Sequence, residues 1–214
     1  MSLDEPAGPP GSTVRLLMCH ASGLPFDGNA PVAAPATRRV YGNPAFELLG
    51  ALVEERSGLG FATYLSEAVL RPLGMHHTTL TSSPAWGAAS TVSDMLRFAA
   101  ELLTPGRVLA PELLEEAASP QLPGLSGVLP GFGQQRPNPW GLGFEVKGRK
   151  HPHWTPDGAS PQTFGHFGQS GCFLWVDPVA ATAVTALSDL DFGRWALSAW
   201  PELGESALRA AARR

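Results

Sequence analysis

The hydrophobic period of this chain changes near Trp140, and that change limits the folds open to it. Upstream of it, apolar residues recur at helical spacing. TVRLLMCHASG reads as a short helix capped near Ser12 or Thr13 and stopped by Gly23. Residues 24–40 hold three prolines and no helical period, so an extended surface connection is expected there. Asn43 as N-cap and Pro44 in the first turn open the clearest helix, whose Phe46, Leu49, Leu52 and Val53 form one apolar stripe before Gly58. FATYLSEAVLRPLG predicts a helix that stops near Pro72 and Gly74. TVSDMLRFAAELL predicts another, with Thr91 and Asp94 as a capping-box-like start, and PELLEEAAS a shorter one. Residues 120–139 read as loop. Beyond them WGLGFEV, TFGHFGQ, CFLWVDP and TAVTALS are short β-type runs separated by turn signals, and GESALRAAARR returns to helix. Helices, then a small antiparallel sheet, then a closing helix make an α+β pattern. A single domain over residues 1–214 is expected, helical over about 12–120, with the sheet and C-terminal helix over about 138–214.

Composition excludes several classes of function. A hydrophobic fraction of 43% is ample for a packed interior. A formal charge of −4 leaves no basic footprint for nucleic acid and no polybasic stretch for an anionic membrane. Cys19 and Cys172 cannot build a disulfide framework and read as buried free thiols. No apolar stretch approaches the ~20 residues of a membrane helix, and residues 1–12 lack a signal-peptide core, so a cytoplasmic chain is expected.

Three stretches carry candidate chemistry. In VYGNPAFELLG, Tyr41 and Asn43 lie on the loop entering a helix; Asn43 is either a cap or an amide donor to a substrate, and Tyr41 either packs or carries a proton. His166 opens a strand between Gly165 and Gly168, where glycine permits close approach of a ligand backbone, so it is either a structural or a cleft histidine. In HPHWTPD, His151 and His153 alternate as zinc ligands can, but no third ligand has suitable spacing, and no metal site is assigned. A G-x-S-x-G elbow is absent, since GQSGC fails at its last position. The only lysines are Lys147 and Lys150, preceded three positions earlier by Phe144 and Lys147, so no Ser-x-x-Lys occurs in the 214 residues.

STVRLLMCHASGLPF, YGNPAFELLGALVEERSG, PLGMHHTTL, STVSDMLRFAAELL, WGLGFEV and GHFGQSGCFLWVDP together resemble, in order and spacing, serine hydrolases of the penicillin-binding-protein-like superfamily. That superfamily includes class C β-lactamases and D-Ala-D-Ala carboxypeptidases. The resemblance implies a β-lactamase/transpeptidase-like fold, no cofactor, and hydrolysis of an amide, β-lactam or ester through an acyl-enzyme. It makes Tyr41 the general base or acid, Asn43 a substrate-amide donor, and His166 an electrostatic and orienting residue standing where the family has Lys-Thr-Gly or His-x-Gly. Gly168 and Gln169 would form the oxyanion side, with the Gln169 N–H as donor. A phenol working near neutrality needs a neighbouring cation, and protonated His166 is one candidate. The family's Ser-x-x-Lys lies upstream of the segment where this chain begins, so an N-terminally truncated, inactive domain is expected. Its partners would be a small-molecule or peptide substrate and, through surface left uncovered, a second copy of itself. The alternative is a non-catalytic binding or scaffold protein that retains the fold.

Overall fold

In the computed structural model, which describes residues 2–213, a four-stranded antiparallel sheet lies between two helical layers. Its order is β5–β6–β7–β8, formed by Glu145–Val146, Phe164–Phe167, Phe173–Asp177 and Thr182–Ala186. The central strand β7 is buried along its whole length and alternates strictly. Leu174 and Val176 face a core with Phe164, Val146 and the α5 residues Ala99 and Leu102, where α5 is Val92–Leu103. Phe173 and Trp175 face the opposite core, with Ala196 and Trp200 of α7, Arg194–Ala211. Each such side chain taken from water contributes about 1.5–3 kcal/mol, so this one strand anchors both layers.

The remaining elements precede the sheet. Helix α1 (Val14–Met18) is capped by the Thr13 side chain, which accepts from the Leu16 N–H, and packs on α2 (Pro44–Ser57) through Leu17 and Ala45. Residues 61–73 run as α3 (Phe61–Leu65), a π-helical turn (Ser66–Leu70) and α4 (Arg71–Leu73), followed by the two-residue strands β1 (Thr79–Leu80) and β2 (Ala88–Ala89). Thr91 caps α5 by accepting from the Asp94 N–H, as the capping-box pattern predicted. Helix α6 (Pro111–Ala118) adds Leu114 to the α5 core. No helix among the described residues is long and apolar enough to cross a membrane.

Several expectations are corrected. Residues 120–139 are not all loop: β3 (Gly127–Leu129) and β4 (Gly133–Gln135) form a hairpin, too short and glycine-rich for its alternation to register. The closing helix starts at Arg194, ten residues before GESALRAAARR. Pro201 lies inside it, and burial of Ala196 and Trp200 outweighs the proline's local cost. The first helix ends at Met18 rather than near Gly23, because His20 takes a left-handed conformation with φ of 55°. On α2 the stripe is only half covered: Phe46, Leu49, Leu52 and Val53 are half-buried, while Pro44, Ala45 and Gly50 are the buried positions. Both cysteines are free, Cys19 buried and Cys172 half-buried.

Candidate active site

Tyr41 and Asn43 sit where the chain turns into α2. The Val40 N–H donates to the His20 carbonyl at 2.9 Å and the Asn43 N–H to the Phe26 carbonyl at 3.3 Å, which fixes the entry. Asn43 occupies the N-cap position, yet its backbone is already helical and its side chain makes no capping bond. The capping reading is therefore wrong for the side chain, and Asn43 lines a cavity.

That cavity, of about 530 Å³, brings together residues more than a hundred positions apart. Tyr41, Asn43, His166, Gly168 and Gln169 all line it, joined by Phe26, Trp86, Trp140 and Glu145. The Tyr41 and His166 rings are 5.7 Å apart, and Trp140 stands 5.9 Å from the first and 5.6 Å from the second. The Gly168 N–H is spent on the Cys172 carbonyl at 2.9 Å, whereas the Gln169 N–H makes no hydrogen bond among the described residues.

The two glycines beside His166 have different roles. A Cβ on Gly165 would lie 2.1 Å from the Leu174 carbonyl oxygen and 2.7 Å from the Trp175 Cα, so this glycine serves strand pairing rather than ligand approach. A Cβ on Gly168, which lines the cavity, would meet the movable Ser170 hydroxyl at 3.2 Å and the Ser170 backbone nitrogen at an ordinary 3.8 Å.

The two titratable rings of the cavity wall are both shifted toward their uncharged forms. Burial holds His166 below its ordinary range and pushes the Tyr41 phenol above its own. The geometry puts His166 beside the phenol, while its surroundings disfavour the protonated form that would make it a cation there. Behind Tyr41 stands His20, 2% exposed and pulled down to about 3, chiefly by burial and further by the proximity of His166 and Arg39.

Glu145 escaped the sequence reading, although a glutamate inside the apolar run WGLGFEV was a visible signal. It is 2% exposed and is held by the Lys150 ammonium, by His153 Nε2 at 3.0 Å and by Trp154 Nε1 at 2.7 Å. The Thr155 N–H donates to His153 Nδ1 at 3.2 Å, so Nε2 carries the ring proton and donates to Glu145. Burial lowers His153 well below its usual value and pulls the Lys150 ammonium down as well. His153 is therefore a fixed donor to a carboxylate. His151 is exposed, 3.3 Å from Asp157, and no group of three His, Cys, Asp or Glu side chains suited to a metal occurs among the described residues.

The geometry defines a cleft between the start of α2 and the end of β6, and comparison with known proteins supplies the family. The Beta-lactamase family pattern matches residues 3–204, and the chain belongs to that family of serine hydrolases. A crystal structure of a beta-lactamase from Mycobacterium bovis superimposes with a TM-score of 0.95 at 50% identity, covering 98% of this chain and 78% of that one. The β-lactamase/transpeptidase-like fold implied by the motifs is therefore the fold observed. A beta-lactamase of Escherichia coli K12 is 30% identical over 101 residues, 35% of this chain and 27% of its own length. A putative D-alanyl-D-alanine carboxypeptidase of Escherichia coli O157:H7 is 26% identical over 200 residues, 72% of this chain and 46% of its own length. The chain thus spans less than half of these curated relatives.

Proposed function

We propose that these residues form the substrate-facing side of a serine-hydrolase site that hydrolyses an amide, β-lactam or ester through an acyl-enzyme. The observation that carries this reading is the convergence of Tyr41, Asn43, His166 and Gln169 on one cavity from opposite ends of the sequence. In the reaction a serine oxygen attacks the carbonyl, its proton passes to a base, and the leaving group takes a proton as the acyl bond to serine forms. Water then attacks the acyl-enzyme and releases the acid. The Tyr41 phenol is the proton carrier, the Asn43 amide donates to the substrate, and the free Gln169 N–H faces the developing oxyanion. His166 orients the cleft by packing on Tyr41 and Trp140.

The 214 residues hold no Ser-x-x-Lys, so by themselves they bind acyl substrates without forming the covalent intermediate. A fluorophosphonate or penicillin probe should leave the intact mass of the chain unchanged. Supplying a segment with the family's Ser-x-x-Lys should restore a stoichiometric adduct. An adduct on the unsupplemented chain overturns the first statement. Failure of the supplemented protein to react favours a non-catalytic binding protein.

A further inference from the structure

Two residues before Tyr41, Arg39 is buried, at 3% exposure, and its guanidinium reaches three separate segments of the chain. Nη1 donates to the Cys19 carbonyl at 2.8 Å, just past the end of α1. Nη2 donates to the Gln121 carbonyl and, at 3.3 Å, to that of Leu122, while Nε donates to the Asn138 carbonyl at 3.2 Å. The backbone is held as well. The Arg39 N–H donates to the Ser126 carbonyl at 2.8 Å, and a Cβ on Gly127 would lie 2.5 Å from the Arg39 Cβ, so β3 runs directly against it. These partners frame the cavity. Asn138 lies two residues before Trp140, and the Gln121 N–H donates to the Trp140 carbonyl at 2.7 Å. Cys19 precedes His20, whose ring backs Tyr41, and Leu129, the last residue of β3, lines the cavity with Tyr41 and Trp140.

We propose that Arg39 is a positioning residue for Tyr41: its guanidinium fixes the loop that carries the phenol against the segments that carry Trp140, and so sets where the phenol stands in the cavity. The proposal rests on the reading of this cavity as the substrate site. A guanidinium suits the task because its N–H groups leave one rigid plane in several directions, so carbonyls from three segments are held in one mutual arrangement. A lysine ammonium gathers its donors at a single atom on a flexible stem and cannot meet the same spread. Every acceptor is a neutral carbonyl, so burying this charge keeps a desolvation cost that an apolar side chain of similar size would avoid. What the arginine supplies in exchange is a fixed geometry. Proton transfer depends on such geometry, since a proton carrier must come within about 2.6–3.2 Å of the atom it serves.

The chain has two tyrosines, Tyr41 in the cavity and Tyr64 exposed on α3. Labelling with 3-fluorotyrosine therefore gives one fluorine NMR signal for the site and one internal reference. In Arg39→Lys the Tyr41 signal should shift or broaden beyond its wild-type linewidth while the Tyr64 signal stays in place. Arg39→Gln, which buries no charge and so folds more readily, should show the same. A purely structural clamp predicts lower thermal stability with both signals unmoved in the folded variants, and that result overturns the proposal. Collapse of both signals to their unfolded positions in both variants assigns Arg39 to the fold as a whole and overturns it too. Benzylpenicillin added to the wild-type chain tests the site reading separately, and should move the Tyr41 signal but not that of Tyr64. Silence of Tyr41 overturns the site reading, and the Arg39 variants then report a clamp on the fold with no bearing on catalysis.

Discussion

The imidazole of His20 lies 4.7 Å from the ring of Tyr41, and neither of its nitrogens has a hydrogen-bond partner among the described residues. The ring is also 4.6 Å from Trp140 and 5.2 Å from Phe46, so it is enclosed by aromatic faces that offer it nothing polar. An unsatisfied buried group of this kind costs about 1–3 kcal/mol. Its benefit is positional: the ring backs the phenol that faces the cavity, and its left-handed backbone ends α1 where the chain must turn toward Tyr41.

Acid should therefore weaken the fold through His20. Its folded value is about 3 against 6.5 when free, so the unfolded chain takes up a proton that the folded chain refuses. Stability is complete above about pH 6.5 and falls as pH drops through that window, by roughly 3 kcal/mol from this group alone at about pH 4.5. His166, also held low by burial, adds loss of the same sign. Urea unfolding at about pH 7.5 and about pH 4.5 should show the drop, and His20→Asn, which tolerates a left-handed backbone, should remove much of it. An unchanged slope in that variant would assign the acid sensitivity elsewhere.

The glycines flanking His166 should separate in their effects. Gly165→Ala drives a methyl into the β7 backbone and should cost more than about 3 kcal/mol or abolish soluble expression. Gly168→Ala closely approaches only the Ser170 hydroxyl and should fold with less than about 1 kcal/mol of loss. Thermal melts of the two variants read the difference.

Most of the fold was legible because its strongest elements obey local rules. Thr91 and Asp94 announce α5, and CFLWVDP alternates toward two cores that its neighbours fill. Tyr41, Asn43 and His166 could be picked out as candidates, but not their convergence, which needs β6 to pair with β7 and bring its end to the start of α2. The misses share a cause: tertiary burial overrides a local signal. Trp200 carries a helix through Pro201, and Glu145 survives inside an apolar run because Lys150, His153 and Trp154 arrive from a loop.

The Glu145–Lys150 pair should show strong coupling. Lys150→Met leaves a buried carboxylate with only the His153 and Trp154 donors and should cost about 3–5 kcal/mol. Adding Glu145→Gln removes the charge that was stranded, so the double variant should be less damaged than the sum of the singles by about 1–3 kcal/mol. A double-mutant cycle in urea measures this directly; strict additivity would mean that the two groups do not share a proton or a charge in the folded chain.

Tyr41→Phe separates a proton carrier from a packing residue. Burial pushes the phenol above its ordinary value, so near neutrality it holds its proton and can act as an acid, and it becomes a base only if a cation is brought beside it. Burial disfavours the charged form of His166, and Lys147 and Lys150 are tied elsewhere, the first to the carbonyls of Pro156, Asp157 and Ala159 and the second to Glu145. In protein supplied with a Ser-x-x-Lys segment, the incoming lysine fills the role, and the phenol should titrate lower than it does in the 214-residue chain. Ultraviolet titration of each form, with Tyr41→Phe subtracted, gives the shift. The same substitution should lower turnover by about 10²–10⁴-fold, the range expected on losing a positioned acid or base, and leave stability within about 0.5 kcal/mol because the ring contacts to His20 and Trp140 persist. Wild-type turnover in Tyr41→Phe would remove the phenol from the chemistry and leave it as one face of an aromatic cluster.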